Sequence, residues 1–271
     1  MQEVIYTPTE DFKIEKCPLK TPQMDLHYHH AYQVYYVIDG EREYLIGDTF
    51  FSVSKGDLVW VPMDTMHCTD GKGAARYILY FGPAFIDKYI QPHMKDKLIS
   101  STPFVFHGDS ATDVSLNKLF TSMLSEYERQ QKQPQYADEL LLAGYLLQFL
   151  FMLYMSENLY RPMISEDSRM SKIVKYINEN YASITGMEEI ANKFYVSKYY
   201  LCRLFKENIG VSFVSYLNTV KIRAACELLR AKKISLAEIA TRCGFNSTPY
   251  FCKVFKNEKG VSPSEYRNQL G

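Results

Sequence analysis

The residues best equipped for chemistry fall into two groups. The first is His27-Tyr28-His29, then Gln33, and later His67 beyond a Gly56-Asp57 turn. Imidazole nitrogens ligate divalent metals or exchange hydrogen bonds with a polar ligand. The second is a sixteen-residue phrase written twice, SKYYLCRLFKENIGVS at 197–212 and STPYFCKVFKNEKGVS at 247–262. The copies agree at eight positions, and a repeat of this kind marks one supersecondary unit used twice. On a nucleic acid, Arg203 has the fork to pair bidentately with guanine O6/N7, Tyr199 the face for apolar contact to a thymine methyl, and Lys206 and Lys256 suit phosphate.

Strands must position the first group. Gln33–Ile38, Glu41–Ile46, Thr49–Ser54, Leu58–Pro62 and Ala75–Phe81 are β-rich runs. Turn signals separate them at Asp39-Gly40, Gly47-Asp48 and Lys55-Gly56-Asp57. This spacing predicts an antiparallel barrel or sandwich. Alternate strand side chains share a face, so His27, His29, Gln33 and Tyr35 have the parity to point into one barrel. The pattern resembles that of the cupins, whose metal-binding members use three His and one Glu. Gln33 stands where that Glu would be, and a neutral amide is a poor ligand for a divalent ion. No metal or cofactor is therefore assigned. A metal site and a merely satisfied barrel interior stay open as alternatives. The preferred reading is a small-molecule site in which His27, His29, Gln33 and His67 exchange hydrogen bonds, and Tyr35 and Trp60 offer aromatic faces. Convergent polar groups on an apolar wall suit a polyol or sugar.

Residues 1 to about 25, with Pro8, Pro18 and Pro22, read as an extended arm. After the barrel, 83–97 reads as a short helix interrupted at Pro92, followed by helices over 111–133 and 137–158. The second of these contains LLLAGYLLQFLFMLYM, 16 residues that include Gln148, too short to span a bilayer, which takes about 20. These two helices either cap the barrel or form a homodimer interface, the second being the preferred reading. Residues 161–169, RPMISEDSR, read as a linker between a domain over 1–160 and a second over 170–271.

Helices must position the second group. The order is a helix over 170–181, a second opened by a Thr185–Glu188 capping box, and a third capped by Ser197. A long fourth helix runs from Ser212 to about Lys232. A Ser235–Glu238 box opens a fifth helix, Asn246 or Ser247 caps a sixth, and a Ser262-Pro263–Glu265 box begins the last. Short helix, tight turn and second helix make a helix-turn-helix, here present twice. Leu201, Leu204 and Phe205 face inward in the first copy and Phe251, Val254 and Phe255 in the second. Lys198, Tyr199, Cys202, Arg203 and Lys206 are then left outward, as are Thr248, Pro249, Tyr250, Lys253 and Lys256.

The charge agrees with this division. The chain of 271 residues has no net charge, yet 168–271 holds 17 Lys and Arg against eight acids, a net of +9, and 1–167 carries −9. The basic part suits a polyanion. Six Cys without CxxC spacing read as reduced thiols, and the N-terminus lacks a signal peptide pattern, so a cytoplasmic protein with no membrane partner is expected.

Residues 168–271 resemble the AraC/XylS-type DNA-binding domain, above all in IA…GFNSTPYFCKVFKNEKGVSPSEYR over 239–267. The N-terminal part is similar to the cupin-like sensor domain of that family's sugar-responsive branch. The resemblance implies an α+β, two-domain regulator that binds double-stranded promoter DNA, often activates with RNA polymerase as a partner, and responds to a sugar-like effector. It places Tyr199, Cys202, Arg203, Thr248, Pro249 and Lys253 at base-facing positions. Cys202 and Pro249 are poor hydrogen-bonders, so the first copy looks the stronger base reader and the second a phosphate-anchored partner. The rival expectations are a metal-dependent cupin enzyme fused to a DNA-binding tail and a regulator whose barrel only dimerises.

Overall fold

One strand of fifteen residues, β2 (Tyr32–Ile46), organises the N-terminal part of the chain. The computed structural model describes residues 11–21, 24–70, 73–134, 139–156, 160–161, 169–230 and 234–269. Its contacts divide the chain into two units, one holding Tyr28–Ile164 and the other Ser165–Gly271 together with Asp25–His27. The other strands of the first unit are β1 (Phe12–Cys17), β3 (Thr49–Ser54), β4 (Asp57–Val61), β5 (His67–Asp70), β6 (Ala74–Phe81), β7 (Phe104–His107) and β8 (Tyr160–Arg161). Strands β1-β6-β2-β4-β7-β8 form one antiparallel path, and β3 and β5 both pair with the second half of β2.

The turn expected at Asp39-Gly40 is a correction. The ladder to β6 runs on from Tyr32–Phe81 to Gly40–Ala74, shifting register between Val37 and Asp39. Gly40 has φ +84°, and a Cβ there would lie 2.6 Å from the Gly73 carbonyl oxygen. The glycine therefore bends a continuous strand from one sheet into the next instead of reversing it. Gly47-Asp48 does close the tight β2–β3 hairpin, with Ile46 opposite Thr49. The expected arm contains strand β1, which pairs along its length with β6; residues 1–10 and 22–23 of that arm lie outside the described residues.

Alternation along β2 gives the sheet two different faces. Val34 and Tyr36 join Leu58, Trp60, Tyr77, Leu79 and Phe81 under the helices, while Tyr35 and Val37 join Tyr44, Ile46, Val53, Val59, Ile78 and Tyr80 in the barrel interior. The covering helices are α1 (Pro83–Tyr89), α2 (Pro92–Leu98), α3 (Ser110–Lys132) and α4 (Glu139–Met155). Phe120 of α3 and Phe149 and Leu150 of α4 are fully buried there, each contributing about 1.5–3 kcal/mol. The outer side of α4 leaves Leu140, Leu141, Leu147, Phe151 and Met155 exposed, with Gly144 among them. Parts of the expected 137–158 helix, 137–138 and 157–158, lie outside the described residues. So does most of the expected linker; Arg161 belongs to β8, opposite Val105, and Arg169 begins the next helix. Among the described residues no helix is long and apolar enough to cross a membrane.

The second unit is helical: α5 (Arg169–Asn180), α6 (Met187–Lys193), α7 (Lys198–Asn208), α8 (Phe213–Arg230), α9 (Leu236–Arg242), α10 (Thr248–Lys259) and α11 (Pro263–Gln269). Side-chain caps start most of them. Ser197, Ser212, Ser235 and Ser247 each accept from the backbone N–H three residues on, and Ser262 and Glu265 cap each other reciprocally. At the Thr185 box the partner differs from the expected one. Glu189, not Glu188, accepts from the Thr185 N–H and hydroxyl, and Glu188 pairs with Lys198 at 3.0 Å. Helix α8 is described to Arg230, and 231–233 lie outside the described residues.

The two α6–α7 and α9–α10 turns are built alike up to one residue. Val196 N–H donates to the Ala191 carbonyl and Phe245 N–H to that of Ala240, both at 2.9 Å. Tyr195 (φ +53°) and Gly244 (φ +73°) take the left-handed position just before. Ser197 then follows Val196 directly, whereas Asn246 separates Phe245 from Ser247. A Cβ on Gly244 would sit 2.1 Å from the Ala182 carbonyl oxygen, so glycine is required by space as well as by φ. Gly244→Ala is expected to destabilise the protein by about 2–4 kcal/mol in chemical denaturation, while Tyr195→Gly shifts stability by less than about 1 kcal/mol.

Candidate functional site

The barrel interior is built from residues of alternating parity. Gln33 is fully buried, and its side chain meets His29 Nε2 at 2.8 Å, His67 Nε2 at 3.1 Å and the Tyr44 hydroxyl at 2.9 Å. The Nδ1 atoms of both imidazoles face backbone carbonyls, His29 at Ala31 (2.9 Å) and His67 at Thr65 (2.8 Å). Burial pushes His29 below its ordinary pKa of 6.5 and keeps it neutral. A neutral imidazole that donates from Nδ1 accepts at Nε2. The structure sets the Gln33 Oε1 toward both imidazoles and lets Nε2 donate to the Tyr44 hydroxyl; imidazoles that donate from Nδ1 are instead satisfied by the flipped amide, with its NH2 toward them. His27 repeats the backbone contact, with Nδ1 at 2.6 Å from the Asp25 carbonyl. One nitrogen each from His27, His29 and His67 lies within 4.8 Å of the others.

The structure thus brings His27, His29, Gln33 and His67 together, with Tyr35 nearby through an edge-on contact to Tyr44 at 5.1 Å. It does not bring Trp60 to them. Trp60 lies opposite Val34, so alternation turns it to the helix-covered face, where it stacks on Phe104 and donates to the Ser100 carbonyl at 3.0 Å. The loop before β5 hid the parity of Trp60 relative to His67 from sequence reasoning. Three interior residues were missed: Tyr44, Arg42 and Arg76, all buried. Parity along β6 was the signal for Arg76; along β2 the register shift between Val37 and Asp39 reverses the parity and hid Arg42 and Tyr44.

In the second unit, Leu201 and Phe205 of α7 and Phe251, Val254 and Phe255 of α10 are buried, while Leu204 is half-buried. Lys198, Tyr199, Cys202, Arg203 and Lys206 of α7 are exposed, as are Pro249, Tyr250, Lys253 and Lys256 of α10; Thr248 is half-buried. Tyr199, Cys202, Arg203 and Lys206 line one concave patch. Arg203 has a loose contact to Glu207 at 3.7 Å, and Lys206 donates to the Gly210 carbonyl at 2.8 Å. Such exposed contacts hold a side chain weakly and leave it available to a phosphate or base edge. Among the described residues Lys253 and Lys256 form no ion pair. Eighteen residues of α8 separate the two helix-turn-helix units, roughly 27 Å at 1.5 Å per residue, near the ~34 Å of a DNA turn.

Residues 19–150 match the family model described as an AraC-like ligand binding domain, and 190–269 match a helix-turn-helix domain. The chain belongs to the AraC family. As a member of that family it is a DNA-binding transcription regulator with a ligand-binding domain. It is similar to the Msm operon regulatory protein of Streptococcus mutans, 25% identical over 244 residues, 88% of this chain and 84% of that protein. It is also similar to the arabinose operon regulatory protein of Salmonella typhimurium, 29% identical over 224 residues, 80% and 76% of the two chains. The regulatory protein PocR of Salmonella typhimurium is 38% identical over 104 residues, 38% of this chain and only 34% of PocR, so that match spans about a third of the relative.

The hub has a pH signature. The unfolded chain protonates His29 as pH falls through 6.5, whereas the folded barrel resists it. Stability is then full above that pH and is lost as pH falls below it. His29→Asn is expected to flatten this acid limb in urea midpoints measured from pH 7.5 to 5; an unchanged slope would show that other groups carry it.

Proposed function

We propose that this AraC-family regulator holds a sugar or sugar derivative in its barrel and activates transcription from promoters that its two helix-turn-helix units contact. The observation that carries the DNA-contact reading is the pair of capped helices, α7 and α10, each burying an apolar stripe and presenting basic residues outward in a segment of net charge +9. The sugar reading is supported by the Gln33-centred set of neutral donors and acceptors and by the arabinose operon regulatory protein among the relatives. Activation implies a contact with RNA polymerase. The regulator works in the cytoplasm and catalyses no reaction of its own.

Base reading falls to Arg203, with Tyr199 beside it, while Lys206, Lys253 and Lys256 anchor phosphates. Arg203→Ala is expected to cost about 1–3 kcal/mol on the operator and to relax one base position, with little loss on random DNA. Lys253→Ala should weaken both DNAs alike and flatten the salt dependence. Equal behaviour of the two variants in competition binding against random DNA removes the distinction between reader and clamp.

The homodimer forms through the exposed side of α4 with α3 beside it. Leu140, Leu147, Phe151 and Met155 recur along one helix face, and Gly144 between them permits close helix approach. Phe151→Glu is expected to convert a dimer to a monomer by sedimentation equilibrium while leaving the far-ultraviolet spectrum unchanged. A monomeric parent protein rejects this interface.

The three clustered imidazoles support a second reading, a metal-dependent cupin enzyme joined to a DNA-binding unit. The Gln33 amide lies across the Nε2 atoms of His29 and His67, so an ion would have to displace it. Stoichiometric zinc, iron or manganese in the purified protein favours this reading over the sensor.

A further inference from the structure

The barrel interior holds a positive charge that is left without a counter-charge among the described residues. Arg76 of β6 is 1% exposed and shares its face with Ile78 and Tyr80, which belong to the interior cluster. Its Nη1 donates to the Ala74 carbonyl at 2.9 Å, its Nε has no hydrogen-bond partner, and it forms no ion pair among the described residues. The guanidinium lies 5.2 Å from the centre of the Tyr35 ring. The Tyr35 hydroxyl is itself buried and without a partner. Arg42 of β2, 3% exposed, enters the same interior, where it donates to Thr69 Oγ1 at 3.3 Å and to the Thr21 carbonyl at 2.9 Å.

A guanidinium cannot shed its proton, and burying one without a compensating anion is costly. Its fork matches a carboxylate or phosphate oxygen pair. Ring contact links this charge to the polar hub: Arg76 lies over Tyr35, Tyr35 meets Tyr44 edge-on, and Tyr44 is hydrogen-bonded to Gln33 between His29 and His67. The interior therefore offers a cationic fork at one end and a line of neutral donors and acceptors at the other.

We propose that the effector is a polyol carrying an oxyanion, a sugar acid or a sugar phosphate, and that Arg76 holds the charged group while the Gln33 hub takes the hydroxyls. This rests on the reading of the barrel as a sugar sensor and narrows its ligand to an anion. A neutral sugar leaves the interior charge uncompensated; an acidic one neutralises it. Tyr35 donates its idle hydroxyl to the same oxyanion.

The test is titration calorimetry of the full chain with galacturonate, gluconate and glucose 6-phosphate beside the neutral parents galactose and glucose. At least one anion is expected to bind tenfold or more tightly than its neutral parent, and Arg76→Gln to weaken that binding at least tenfold. The carboxylate and phosphate arms tell which oxyanion the fork prefers. Neutral sugars binding as tightly as the anions overturn the proposal and leave the sensor reading standing; unchanged anion affinity in Arg76→Gln does the same. No binding in either series removes the sensor reading and this proposal with it. Thermal unfolding of ligand-free Arg76→Met adds an independent check. Its midpoint is expected to equal or exceed that of the parent, because a similar volume is kept and an uncompensated charge is gone. A clearly lowered midpoint makes Arg76 a structural residue and overturns the proposal.

Discussion

A β-strand can give each face of its sheet only every second residue, and the sensor unit depends on how β2 uses that constraint. Even-numbered Val34 and Tyr36 are covered by helices, and odd-numbered Gln33, Tyr35 and Val37 look into the barrel. The bulge beyond Val37 resets this parity, so that the even-numbered Arg42, Tyr44 and Ile46 face the same interior from the second sheet. Without that shift the hub would lose Tyr44 and the barrel would lose Arg42. Just beyond the shift, Gly40 closes on the Gly73 backbone with no room for a side chain.

In the helical unit the corresponding constraint is the closeness of the turns. Each helix-turn-helix tucks a backbone N–H, from Val196 or Phe245, under the preceding helix. In the second, the turn also packs its glycine on Ala182, and Lys221 of α8 reaches its carbonyl at 2.6 Å. Burial lowers the pKa of that lysine, so the turn is tied to the connecting helix by a partly desolvated charge. The first turn has an exposed tyrosine at the equivalent place. The two copies of the repeat thus follow turns that are anchored differently.

The sequence made the helical unit nearly transparent, because caps and turns are local. Ser197, Ser212, Ser235, Ser247 and Ser262 each cap where their spacing indicates. The one altered partner, Glu189 for Glu188, depends on a nonlocal pairing of Glu188 with Lys198. The barrel was less legible. Its sheet, its hairpin at Gly47-Asp48 and the meeting of His29, Gln33 and His67 were readable from periodicity and spacing. Strand β1 was hidden by its charges and by the prolines on either side of it, Pro8 and Pro18, and β7 by its brevity. Asp39-Gly40 carries the same letters whether it reverses a chain or bends it, and only pairing with β6 decides between them. Trp60 was misplaced for the same reason: its face follows from register against Val34, a contact 26 residues away in the chain.

The buried Arg76 has a consequence for the life of the protein in the cell. A fold whose interior guanidinium finds no anion among the described residues is less secure than the same fold with an anion in place, since any ligand bound only by the native state raises its stability by mass action. Proteolytic turnover samples the unfolded fraction. An occupying anion would then set not only how the regulator acts but how much of it there is, and the abundance of the protein would itself track the supply of its ligand.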